Sequence, residues 1–97
     1  MNDAGGAETI TRTVRICNTR GLHARAAAKF VKCAATFTAD VTVSRDGNTV
    51  PGLSIMGLMM LAASNGSEIE IQASGTDAEA ASDALCKLVE AGFDETS

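Results

Sequence analysis

The residues best suited to chemistry lie in Gly21-Leu22-His23-Ala24-Arg25-Ala26-Ala27-Ala28-Lys29-Phe30. His23 is the only histidine among 97 residues, and it stands where a polar loop gives way to an alanine-rich, helix-favouring run. Gly21 suits a tight turn, because it lacks a Cβ. The first turn of a helix leaves backbone N–H groups without internal partners, and with the helix dipole these favour an anion such as phosphate. Arg25 adds a fixed cation that can fork two hydrogen bonds to phosphoryl oxygens. A ring nitrogen beside such a cradle suits attack on a phosphoryl group, with the helix start at Ala24 and Arg25 holding the product. The plain alternative is a histidine that only caps the helix or decorates the surface, and a short motif alone does not separate the two.

A second stretch is Ser54-Ile55-Met56-Gly57-Leu58-Met59-Met60-Leu61. Serine is a favoured N-cap, so a short helix is expected from Ile55 to Ala63, ended by Asn65-Gly66. Leu58 and Leu61 are spaced to enter a core. Ile55, Met56 and Met59 then point elsewhere, as an adaptable docking patch rather than a fully buried helix. A phosphate on Ser54 would sit at a helix N-terminus and place about two negative charges beside that patch.

Composition narrows the function. Net charge is −4, which argues against nucleic acid as the main partner. Six of the eight basic residues (Arg12, Arg15, Arg20, Arg25, Lys29 and Lys32) fall in the first third, with no Asp or Glu between Arg12 and Lys32. His23 is therefore expected in a basic local field that attracts an acidic partner or a phosphoryl group. Cys17, Cys33 and Cys86 form no CxxC, so neither metal site nor disulfide framework is indicated, and each reads as a small buried apolar residue. No cofactor motif, signal peptide or membrane span is apparent, so the chain reads as cytoplasmic.

The elements that must position these residues follow from periodicity. Thr9 to Asn18 alternates as a half-buried strand, with Val14 and Ile16 inward. Ala24 to Thr36 has Ala27, Phe30, Val31 and Ala34 at helical spacing. Asp40 to Arg45 and Asn48 to Val50 flank Asp46-Gly47, a hairpin signal. Glu68 to Ser74 alternates again, with Ile69, Ile71 and Ala73 inward. Thr76-x-x-Glu79 reads as a capping box opening a last helix, which carries Ala81, Ala84, Leu85, Leu88 and Val89 and ends at Gly92. Strands apolar on one face imply an α+β fold in βαββαβα order, a four-stranded antiparallel open-faced sandwich with three helices on one side. The expected organisation is a flexible tail over 1–8, one domain over 9–92, and a C-terminal tail over 93–97.

With both motifs in view, the chain resembles HPr, the small phosphocarrier family of the bacterial phosphoenolpyruvate-dependent phosphotransferase system. Gly21-Leu-His-Ala-Arg followed by Ala27 resembles its active-site motif, and Ser54-Ile-Met-Gly-Leu-Met its regulatory-serine motif. The resemblance runs from Thr9 to Val89. It implies that His23 is phosphorylated on Nδ1 by phospho-Enzyme I and passes the group to an EIIA-type acceptor, with Arg25 assisting. It also implies that Ser54 matches the target of an HPr kinase/phosphorylase, and that Ile55, Met56 and Met59 meet the partners. Such a carrier is not itself an enzyme, and a monomer suits it. Ala26 stands where many members have proline, which loosens the helix start slightly. That departure and Gly52-Leu53 before Ser54, where many members carry a lysine nearer the helix, are together with the Met-rich run similar to proteobacterial members of a nitrogen-related, regulatory branch. The alternative function is a regulatory binding protein acting through phosphorylation-dependent contacts rather than sugar uptake. An RNA-binding module shares the βαββαβ order, but the strands here carry no aromatic platform for bases.

Overall fold

The computed structural model describes residues 9–95. The tail expected over 1–8 lies outside the described residues, as do positions 96 and 97. The elements are β1 (Thr9–Arg15), α1 (Ala24–Ala34), β2 (Asp40–Arg45), β3 (Asn48–Pro51), α2 (Ile55–Met60), β4 (Glu68–Ser74) and α3 (Ala78–Glu90), followed by a 3₁₀ turn over Gly92–Asp94. The strands form one sheet in the order β1-β4-β2-β3, every pairing antiparallel.

The alternation seen in the sequence sets the register. Val14 faces Ile69 across β1 and β4, and Ile71 faces Val43 across β4 and β2. All four are buried, and the helices cover them with Phe30, Leu58, Leu85 and Val89. Phe30 and Phe93 are fully buried, each a stabilisation of about 1.5–3 kcal/mol relative to an exposed ring. The β2–β3 hairpin turns on Asp46 and Gly47, whose φ angles of 51° and 84° are the pair of positive values that a tight two-residue turn requires.

Several boundaries differ from the sequence expectation, each for a local reason. β1 stops at Arg15 rather than Asn18, because Ile16 leaves the ladder and bonds to Ser67 and Gly66 instead. α1 ends at Ala34 rather than Thr36, where tighter bonds to Cys33 and Ala34 unwind the last turn. α2 ends at Met60 rather than Ala63: Ala62 takes a φ of 53°, and the Ala63 carbonyl accepts the Leu22 N–H instead. The capping box is absent. Asp77 is the N-cap of α3 without a side-chain cap bond, and its carboxylate accepts the Thr38 N–H at 2.8 Å, tying two loops together. Cys17 is exposed rather than buried, with its thiol on the Val89 and Glu90 carbonyls. The boundary expected after Gly92 is also corrected. Gly92 ends α3 with a φ of 65°, but Phe93 turns back into the core, so the chain through Glu95 is part of the domain.

Candidate functional site

The approach to His23 is fixed by close contact. Gly21 has a φ of +68°, and an added Cβ would lie 2.5 Å from the Ala63 carbonyl oxygen. Only glycine fits there. The neighbouring Leu22 N–H donates to that same oxygen at 2.9 Å, which holds the turn after α2 against the loop before α1.

His23 is the N-cap of α1, with an extended backbone. Its carbonyl accepts the Ala27 N–H at 2.8 Å, and its Nδ1 accepts the Arg25 N–H at 3.3 Å. The capping alternative is thus true, and the same geometry aims Nδ1 at the N–H groups of the first turn. Arg25 is exposed at the second helical position. Ala24 is exposed beside it, whereas Ala26 is buried in the core.

The other face of the ring meets a group the sequence did not flag. Nε2 contacts Oε2 of Glu95, 72 residues away in the chain. The Asn18 amide donates to Glu95 Oε1 at 3.0 Å and to the Gly21 carbonyl at 2.8 Å. Lys29 donates to the Phe93 carbonyl at 2.6 Å. Hydrogen bonding from Asn18, then from His23, holds the Glu95 carboxyl below its ordinary range, against the opposing effect of desolvation. The His23 and Glu95 side chains are 15% and 12% exposed, so the pair is largely sheltered from solvent.

The local field is less basic than the sequence suggests. Arg12 pairs with Asp83 at 2.7 Å, Arg15 lies 3.4 Å from Glu68, and Glu95 lies on the histidine. Asn18 and Glu95 are the neighbours of His23 that the sequence reading did not pick out, and Lys29, read only as part of the basic field, is turned to the Phe93 carbonyl. The usable signal was Phe93, one of three aromatics, placed just after a helix-ending glycine. A buried ring there brings Glu95 back onto the domain.

The second stretch has the expected cap over a helix shorter than expected. Ser54 is the N-cap of α2, its Oγ accepting the Gly57 N–H at 2.9 Å. Leu58 and Leu61 are buried, while Ile55, Met56 and Met59 are 40%, 72% and 43% exposed. Met60 and Leu53 extend the same apolar surface. α2 packs against α1.

An open-faced sandwich with a histidine capping its first helix, beside an exposed arginine and a short helix with exposed apolar side chains, is the arrangement of a small phosphoryl-carrier class of protein. The family model described as the PTS HPr component phosphorylation site matches residues 10–91. The phosphocarrier protein NPr of Shewanella violacea is 44% identical over 91% of this chain and 97% of its own length. The phosphocarrier protein HPr of Cupriavidus necator is 44% identical over 89% of this chain and 97% of its own. The crystal structure of HPr-C-His from Thermoanaerobacter tengcongensis superimposes with a TM-score of 0.86 at 41% identity, covering 91% of this chain and 99% of that one. The chain belongs to the HPr family of phosphotransferase-system phosphocarriers.

Proposed function

We propose that the chain takes a phosphoryl group onto His23 Nδ1 from phospho-Enzyme I and hands it to an EIIA-type acceptor. The observation that carries this reading is the placement of Nδ1 at the open start of α1, against the Arg25 N–H. The Nδ1 electron pair attacks phosphorus while the donor's N–P bond breaks and returns its pair to the donor ring. The acceptor step repeats this in the other direction. Helix-start N–H groups at Ala24 and Arg25, with the Arg25 guanidinium, face the phosphoryl oxygens and offset their charge. The stabilisation must stay moderate, since the group has to leave again.

Ile55, Met56 and Met59 form the partner surface, and Ser54 is the regulatory position for an HPr kinase/phosphorylase. A single copy presents this face to each partner in turn, in the cytoplasm. Among the described residues no helix is long and apolar enough to cross a membrane.

The test uses His23→Asn, which keeps a good capping side chain but removes the nucleophile. Incubated with Enzyme I and labelled phosphoenolpyruvate, the wild-type chain gains an acid-labile, base-stable phosphate. The variant stays folded and gains none. A labelled variant, or an unlabelled wild-type chain, overturns the reading.

A further inference from the structure

We propose that Glu95 is a positioning residue for phosphoryl transfer, its carboxylate holding the ring proton of His23 on Nε2 so that Nδ1 is unprotonated and its electron pair can pass from the Arg25 N–H to phosphorus. This rests on the carrier reading given above.

A neutral imidazole carries one proton, on either nitrogen, and the hydrogen bond made by one decides the state of the other. Both sides of the ring here specify the same form. Nε2 faces a carboxylate oxygen, which accepts a proton-bearing nitrogen. Nδ1 faces the Arg25 N–H, which requires a nitrogen with a free electron pair. A proton on Nδ1 would set two donors against each other and remove the nucleophile.

The carboxylate is held in place from three directions. Asn18, 4% exposed, fixes Oε1 while it braces the Gly21 carbonyl. The Glu95 N–H closes on the Gly92 carbonyl at 3.1 Å. Phe93 anchors the segment in the core, and Lys29 clamps the Phe93 carbonyl from α1. α1 has no acidic residue in its own first turn, so this end of the chain supplies the negative charge.

The transfer step balances with Glu95 as a bystander that never takes the proton. The N–P bond forms at Nδ1, the donor's N–P bond breaks, and the Nε2 proton stays where it is. The ring gains positive charge as the bond forms, and the adjacent carboxylate offsets it. An imidazole backed by a carboxylate is a general way of orienting a nucleophile or base.

The experiment uses the full chain with nitrogen-15-labelled histidine, as wild type and as Glu95→Gln. At alkaline pH the wild-type nitrogen shifts are expected to report a protonated Nε2 and a bare Nδ1. In E95Q they are expected to move toward a mixture of the two forms, and phosphoryl uptake from Enzyme I slows about tenfold with KM for Enzyme I unchanged. An unchanged backbone amide spectrum shows that the fold is kept. A wild-type ring protonated on Nδ1, or an E95Q chain with wild-type tautomer or wild-type rate, overturns the proposal. A wild-type chain that takes up no label overturns the carrier reading instead, and the nitrogen shifts still report whether Glu95 sets the tautomer.

Discussion

The Ser54 hydroxyl has a structural task as the cap of α2. It accepts the Gly57 N–H, and a Cβ at position 57 would lie 3.0 Å from Ser54 Oγ and 3.1 Å from Val50 Cβ. The cap and the glycine therefore fit one another closely. Ser54→Ala removes the cap acceptor at the start of a helix of only six residues, and it is expected to destabilise the domain by about 1 kcal/mol, read as a lower urea midpoint at constant m-value. A wild-type midpoint would show that solvent replaces the cap at no cost. His23 and Ser54 were both readable as N-caps, because a cap is a local pattern of one side chain and the N–H groups just after it. Glu95 was not, because its partner lies 72 residues away and no local spacing connects them.

At the level of elements, alternation and helical spacing gave the strands and the inward faces well. β2 and β4 fall at the expected residues, with Val41, Val43, Ile69, Ile71 and Ala73 buried. Helix ends were read less well, since they depend on contacts made elsewhere. α2 gives up its last expected turn to the Leu22 N–H, and Asp77 caps no N–H of α3 because its carboxylate is taken by Thr38. The junction between α2 and the loop before α1 turns on Gly21. Gly21→Ala forces a Cβ into the Ala63 carbonyl at a φ of +68°, and the strain alone is expected to cost about 1–3 kcal/mol. Because the loop must shift to relieve it, His23 leaves its capping position. Chemical denaturation should show the loss of stability, and phosphoryl uptake should fall with it. Stability and uptake equal to wild type would mean that the loop yields without moving the histidine.

At the scale of the whole molecule, the segment after α3 returns to the loop before α1 and to α1 itself, and this makes the joint sensitive to acid. Position 95 returns to His23 through the buried Phe93 ring, the Lys29 clamp and the Asn18 amide. The Asn18 hydrogen bond, followed by that of His23, lowers the Glu95 carboxyl from its ordinary value of 4.5. A carboxyl whose folded value lies below its unfolded one stabilises the fold fully above the unfolded value. That contribution is lost as pH falls through the depressed folded value. Comparing wild type with E95Q cancels the titration of the carboxylates remote from position 95, leaving the term of Glu95 together with the ring bonded to it. The wild-type advantage in unfolding free energy should shrink as the solution is acidified below 4.5. Phe93 and Lys29 do not depend on that carboxylate charge, so the acidified segment loosens first at Glu95, and amide exchange there should rise before it rises in β4. An advantage that persists unchanged into strong acid would show that Glu95 is held by shape and not by charge.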